Sequence, residues 1–284
     1  MPAPNPVVDK HLLAKELRRL REERGMTQQE VADGLKWTRE KVGRIETAAT
    51  SVSTADLRRL LATYEIADEE SIEEFERRAV AAQRPGWNEY KGMLPSRYLT
   101  YLGFEEIATT MRQYHLSLIP GLLQTRTYMR ETLTHVFEIS PRDVRRLIEA
   151  RTRRQELLMA DPRPVFKIII DEAVLHRAVG GSRAWREQLE HLQKINQLDG
   201  VNLMVLPFSA GPHPGLKGAF NLLTFEDAPY DDLLYMENSE GDRIDRDDDE
   251  VNAEYLQIFE ELESRSLDGE AFDEFISKIA DSFT

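Results

Sequence analysis

The chain has 284 residues, 37 Lys/Arg against 51 Asp/Glu, a formal net charge of −14 and no cysteine. That length supports one large or two ordinary domains with real cores, and the missing cysteine excludes disulfides and thiolate metal sites and points to a reducing cytoplasm. No apolar run approaches the ~20 residues of a membrane helix, and Met1-Pro2-Ala3-Pro4-Asn5-Pro6 lacks the blocks of a secretion signal, so a soluble cytoplasmic protein without a membrane partner is expected.

Acidity overall argues against nucleic acid, but the charge is unevenly placed. Residues 1–63 carry 12 Lys/Arg against 9 Asp/Glu, whereas residues 226–284 carry 4 against 21. Only the first segment is locally basic, so support for a polyanionic partner has to come from there.

Leu13, Leu17 and Leu20 recur at helical spacing, and Gly25 suits a left-handed cap, which predicts a first helix from Asp9 to Arg24. Thr27 and Glu30 form a capping box for a second helix, Gln28 to Leu35, burying Val31, Ala32 and Leu35. Lys36 and Trp37 then separate it from Thr38, the N-cap of a short third helix from Arg39 to about Thr47, with Trp37 able to staple onto Val42. Ser53 opens a fourth helix with Leu57, Leu60 and Leu61 inward, and a fifth is predicted from Ser71 to Gln83.

The third helix breaks two local rules. Cations in a first turn oppose the macrodipole at roughly 0.3–1 kcal/mol each, and a mid-helix glycine costs about 1 kcal/mol relative to alanine. Arg39, Lys41 and Gly43 do both, which a helix made only for packing would avoid. At 100° per residue Val42 and Ile45 share the inner face, while Glu40, Gly43 and Arg44 point outward. A recognition helix entering a DNA major groove accounts for the pattern. Glu40 is placed either to accept from a cytosine amine or to pair with Arg44 at i+4.

The run from Leu13 to Ile66 resembles the helix-turn-helix domain of the xenobiotic-response-element (XRE) repressor family, which includes lambdoid phage repressors. Gly25-Met26-Thr27-Gln28, Val31-Ala32, Leu35, Trp37-Thr38, Val42 and Arg44-Ile45-Glu46 carry the likeness. The resemblance implies phosphate or base contact by Gln28, phosphate contact by Thr38, and Arg39, Lys41 and Arg44 facing the groove. The candidate DNA-binding set is therefore Thr27, Gln28, Thr38, Arg39, Glu40, Lys41 and Arg44. Two positions depart from the family pattern: Lys36 stands where it often has Gly, and Gly43 where it usually has Ser.

Beyond Ile66 the acidic stretch Asp68 to Glu76 leads through Arg84-Pro85-Gly86 to Trp87, and residues 67–90 read as a linker helix. Glu105 to Leu118 reads as a helix striped by Ile107, Met111 and Leu118, and Thr125 as the cap of another running to about His135. Pro141 opens a helix to Met159 with Arg142, Arg145, Arg146, Arg151, Arg153 and Arg154 as a basic side, suited to DNA phosphate or to pairing with the acidic C-terminal segment. Strands are predicted at Val165–Ile170, Val201–Leu206, Ala219–Phe225 and Asp232–Met236, the last two joined by a hairpin loop over residues 226–230. Ser182–Leu198, Asp248–Leu262 and Gly269–Phe283 read as helices.

The fold class is thus mainly α with an α+β second domain: a five-helix lambda-repressor-like domain over 9–66, the linker, and an α+β domain of about four strands over 91–284. This second half resembles the C-terminal, antitoxin-like domain of the WhiJ-type regulators of actinobacteria. Ile119-Pro120-Gly121-Leu122-Leu123-Gln124-Thr125, Arg151 with Arg154-Gln155, Asp171-Glu172-Ala173-Val174-Leu175, Val205-Leu206-Pro207 and Tyr235-Met236-Glu237 carry that likeness. It implies a DNA-binding regulator acting with a small BldB-like protein.

Pro120, Gly121, Leu122, Leu123, Gln124 and Thr125 form either a partner-binding turn or a helix-to-helix corner. The six histidines have no i+4 pair, no metal site or cofactor is expected, and Asp245 to Glu250 lacks the glycine and final glutamate of a calcium loop. His213 sits in Gly211-Pro212-His213-Pro214-Gly215, a loop ligand contact or a rigid surface loop. No phosphate loop, dinucleotide fingerprint or nucleophile elbow occurs, so an enzyme is not expected. The leading reading is a homodimeric sequence-specific regulator of double-stranded DNA, nucleoid-associated when bound, whose second domain binds a small protein. The alternative makes that domain a small-molecule sensor with Trp87, Tyr90, Tyr98 and Tyr101 lining a pocket.

Overall fold

The computed structural model describes residues 5–84, 86–226, 231–237, 242–245 and 249–283. It divides into two units: Met1–Lys91 with Leu102–Glu106, and Gly92–Tyr101 with Ile107–Thr284.

In the first unit, α1 (Pro6–Glu23) starts earlier than helical spacing suggests, because Asn5 caps it by accepting from the Val7 and Val8 amides and Pro6 needs no donor partner. Asn5 Nδ2 also donates to the Gly103 carbonyl at 2.7 Å. Gly25 at φ +66° ends the helix as expected. Next come α2 (Gln28–Leu35), α3 (Arg39–Glu46), α4 (Thr54–Thr63) and α5 (Glu69–Ala81), capped by Thr27, Thr38, Ser53 and Asp68. Lys36 adopts φ 57°, ψ 43°, the left-handed cap that glycine fills more easily, so the departure from the family pattern leaves the turn intact. The segment read as a linker is no free helix: Ile72, Phe75 and Ala79 of α5 join the core of Leu17, Val31, Leu57 and Tyr64. The boundary drawn at Ile66 therefore falls inside the unit, since α5 must bury that apolar stripe somewhere.

The second unit contains a six-stranded sheet in the order β3-β2-β1-β4-β5-β6. β1 (Thr110–His115), β2 (Val165–Asp171) and β3 (Val201–Leu206) run parallel, while β4 (Phe220–Thr224), β5 (Leu233–Met236) and β6 (Arg243–Asp245) add antiparallel. Ile168, Ile169 and Ile170 are all fully buried, as consecutive residues must be when helices cover both faces of a parallel sheet. The helices are the first part of α6 (Ser96–Glu105), whose residues from Leu102 on belong to the first unit, α7 (Arg126–His135), α8 (Pro141–Gln155), the short α9 (Glu172–Leu175), α10 (Gly181–Asn196), α11 (Asp249–Glu263) and α12 (Gly269–Asp281). Phe259 and Leu262 of α11 pack on the face bearing Ile169, Met204 and Leu222.

Two strands were not expected. The helix predicted from Glu105 to Leu118 is instead the end of α6 followed by β1. Thr110 pairs with Val165 on one side and Thr224 on the other, and this double pairing overrides a helical stripe of only three residues. Residues 227–230 of the expected hairpin loop, and 246–248 of the acidic run, lie outside the described residues.

Gly103 is where packing leaves least room, since a Cβ there would come within 2.3 Å of Val7 Cβ. Gly103→Ala should lower stability in urea unfolding by about 1–3 kcal/mol, and pairing it with Val7→Ala should cost clearly less than the two single changes summed.

Candidate functional site

The geometry of the first unit's surface is set by one buried ion pair. Arg21 of α1 meets Glu46, the last residue of α3, through Nε–Oε1 at 2.7 Å and Nη2–Oε2 at 3.0 Å, with side chains 10% and 2% exposed. Arg21 Nη1 donates to the Met26 carbonyl in the turn before α2, and Gln28 Nε2 donates to Glu46 Oε2 at 2.9 Å. One carboxylate thus joins α1, the start of α2 and the end of α3. Hydrogen bonding to Glu46 raises the Arg21 pKa against the opposing cost of burial.

This frame presents α3 outward. Thr38, Arg39, Glu40 and Arg44 are exposed, and among the described residues Arg39 and Arg44 make no ion pair. The i+4 pair between Glu40 and Arg44 does not form, which leaves both side chains directed to solvent. Thr38 Oγ1 accepts from the Lys41 amide at 3.2 Å, so its cap is made as expected. Thr27 is exposed and shares its capping box with Glu30.

Two members of the candidate set are occupied within the unit. Lys41 Nζ lies 2.7 Å from Asp56 Oδ2 and 3.7 Å from the centre of the Trp37 ring, turned toward α4. Gln28 is bound to Glu46. Gly43 faces the Gln28 side chain, and a Cβ there would meet Gln28 Oε1 at 3.4 Å, an ordinary contact, so packing within the unit does not require glycine.

The second unit holds a cavity of about 410 Å³ at the carboxyl end of β1. Its wall includes Tyr98, Tyr101, His115, Arg151, Arg154 and Tyr235. Of the four aromatics singled out in the sequence, Tyr98 and Tyr101 line this cavity, whereas Trp87 and Tyr90 belong to the first unit. Pro120, Gly121 and Gln124 of the run Pro120–Thr125 form another part of the wall. Leu122 and Leu123 are fully buried, and the backbone is held by side-chain amides. Gln155 Nε2 donates to the Gly121, Leu122 and Gln124 carbonyls, and Gln188 accepts from the Thr125 amide while donating to the Leu123 carbonyl. Gln124 donates to the Ile119 carbonyl at 2.7 Å and accepts from Arg151 Nη1 at 2.8 Å.

The basic side read along α8 divides accordingly. Arg142, Arg145 and Arg146 are exposed, whereas Arg151 and Arg154 line the cavity. His213, read as part of a loop, has a side chain only 5% exposed and packs edge-on against Tyr114, so its loop does not present it to solvent. Among the described residues no group of three or more His, Asp or Glu is placed to hold a metal, and no helix is long and apolar enough to cross a membrane.

The cavity was missed in the sequence because its residues lie between positions 98 and 237 on five different elements. His115 is its most perturbed group: burial, and then the Arg154 charge, push the imidazole down to about 3, with the Asn221 amide opposing weakly. Its Nε2 is buried without a hydrogen bond.

Residues 98–278 match the family model described as a domain of unknown function (DUF5753), and residues 12–75 match a model described as a helix-turn-helix domain. No curated protein and no solved structure matches the chain. The second match and the observed helices agree: the chain carries a helix-turn-helix domain of the kind found in DNA-binding regulators, with an α+β domain after it.

Glu46→Gln leaves the Arg21 charge buried without its counter-ion and should cost about 3 kcal/mol or more in denaturant unfolding. For His115, a folded pKa below the unfolded value of about 6.5 means that the unfolded chain binds the proton first, so stability falls as pH drops through that interval. Between pH 6.5 and pH 4.5 the chain should lose about 1–2 kcal/mol more than His115→Gln, allowing for water in the cavity. Parallel pH profiles in urea melts would remove this assignment.

Proposed function

This chain belongs to the DUF5753 family, whose shared domain has no assigned function, and we propose that it is a sequence-specific DNA-binding transcriptional regulator. Arg39 and Arg44 carry the reading. They project from the first and last turns of a short helix whose orientation is fixed by the buried Arg21–Glu46 pair, and neither is neutralised among the described residues. An exposed guanidinium without an acidic neighbour suits phosphate or the O6/N7 edge of guanine. The N-termini of α2 and α3, capped by Thr27 and Thr38, offer amides and partial positive charge to backbone phosphates. We assign Arg39 and Arg44 to the groove, Glu40 to a base edge, and Thr27, Gln28 and Thr38 to positioning on phosphate. Lys41 acts mainly by holding Trp37 and α4, given its contacts with Asp56 and the indole ring.

The regulator is a homodimer in this proposal, reading half-sites about one helical turn, ~34–36 Å, apart. Control through a small BldB-like protein follows from the WhiJ-like resemblance alone. Such a partner would not reach Leu122 or Leu123 without opening the second unit, since both are fully buried. Its contact with the run would be restricted to the neighbourhood of Gly121, the one partly exposed residue there.

Selection of bound fragments from genomic DNA should return a common sequence element. Against that element Arg44→Ala and Arg39→Ala should each cost about 1–3 kcal/mol of binding, and a phosphate-contacting residue should lower the salt slope by about 1. Lys41→Ala should weaken binding less than either, with a larger loss of thermal stability. Absence of sequence enrichment, or full affinity in both arginine variants, overturns the reading.

A further inference from the structure

Asp56 stands in the first turn of α4, next to the surface that α3 presents. Its carboxylate is shared between two cations, one on each oxygen: Lys41 Nζ lies 2.7 Å from Oδ2, and Arg59 Nη1 lies 3.7 Å from Oδ1. Both cations also rest on the Trp37 ring, with Lys41 Nζ 3.7 Å and Arg59 Cζ 5.3 Å from its centre. Arg59 is further tied through Nη2 to the Leu35 carbonyl at 2.6 Å, whereas among the described residues the Lys41 ammonium is held by Asp56 and the indole alone. Lys41 is thus kept to one side by two contacts, and one of them is a negative charge.

An ion pair with side chains 39% and 28% exposed is screened by solvent and adds only modestly to stability. Its effect on the surface charge is larger. Three residues along a helix rise about 4.5 Å and turn by roughly 300°, which puts Lys41 about 60° around α3 from Arg44, on the flank of the outward face. From there the flexible lysine stem can carry its ammonium to a backbone phosphate. A phosphodiester bears one negative charge, as Asp56 does. Leaving Asp56 for phosphate therefore exchanges one anionic partner for another of similar strength, and the carboxylate left behind repels the phosphate. One acid on α4 in this way cancels a cation that the sequence counts among the DNA-facing residues, while Arg39 and Arg44 have no such acid beside them among the described residues.

We propose that Asp56 is a latch on Lys41: it withholds the ammonium from DNA phosphate and so sets how strongly this surface is drawn to duplex of any sequence. The inference rests on the DNA-binding reading of α3 and deepens it, because it adds a residue outside α3 that lowers sequence-independent attraction and leaves the base-edge contacts of Arg39 and Arg44 untouched. Releasing the latch does not dismantle the unit. Trp37 still packs on the core of Val31, Leu35, Val42 and Leu57, and the hydrogen bond that Asp56 gives to the Ser53 cap comes from its backbone amide, not from its carboxylate. Asp56→Asn, which keeps the shape and removes the charge, therefore reports on the latch and not on the fold.

Fluorescence anisotropy with the full chain tests it on two duplexes of equal length, one carrying the element enriched from genomic DNA and one unrelated, between about 50 and 200 mM salt. Asp56→Asn should raise affinity for both duplexes by about threefold or more at the lower salt and steepen the salt slope by about 1, since one more phosphate is neutralised. Combined with Lys41→Met it should bind no more tightly than Lys41→Met alone. Asp56→Ser repeats the comparison with a second uncharged residue, and melting is followed for every variant. Arg44→Ala separates this inference from the reading it rests on: it should abolish the preference for the enriched element yet leave the Asp56→Asn gain on the unrelated duplex in place. Where no element is enriched, the reading of α3 falls and the unrelated duplex alone decides the latch. Unchanged affinity in an Asp56 variant that keeps the native melting transition overturns the proposal. A gain that persists beside Lys41→Met overturns it as well, because Asp56 would then act only through its own charge.

Discussion

The contact between Arg21 and Glu46 fixes what the rest of the first unit can do. A buried ion pair is a poor source of net stability, because desolvating both charges consumes most of their attraction. Its value here is geometric. The pair is bidentate, and its carboxylate also takes the Gln28 amide, so α1, α2 and α3 have little freedom to slide past one another. Apolar packing alone, through Val42 and Ile45, would tolerate a rotation of a helix as short as α3. A three-way polar clamp does not, and a rotation of a few tens of degrees would carry Arg44 off the surface that Arg39 and Thr38 define.

The clamp also explains a division of labour along α3 that the sequence shows only as a run of charges. Glu46 and Lys41 face inward and sideways, toward Arg21 and Asp56, and settle the helix on its neighbours. Arg39 and Arg44 are left over.

Local chemistry was legible in the sequence, and non-local chemistry was not. The caps at Thr27, Thr38, Ser53 and Thr125 each depend on a hydrogen bond across three residues, and all four form. α3 came with them, since its start and its inner face are set by neighbours in sequence. β1 was misread because its identity comes from strands more than fifty residues away. The role of α5 was misread as a linker because an acidic, exposed helix and a packed one differ only by Ile72, Phe75 and Ala79. Pro120–Thr125 was singled out and left open between a partner surface and a corner. What holds it, the amides of Gln155 and Gln188, could not be matched to it without the fold.

Net charge sharpens the picture of how such a chain would meet DNA. At −14 the protein as a whole repels a polyanion, and with 4 Lys/Arg against 21 Asp/Glu the last 59 residues carry more negative charge than the chain does in total. Physiological salt screens charges beyond about 8 Å, so the repulsion acts mainly on parts of the chain that come within that distance of phosphate. Attraction is then confined to a few exposed cations at close range, and a surface of that kind gains little from non-specific backbone contact. Discrimination would have to come from hydrogen bonds at base edges, which act only in register. An acidic body with a small basic contact surface therefore trades overall affinity for selectivity, and that trade holds only if α3 is held as rigidly as the Glu46 clamp holds it.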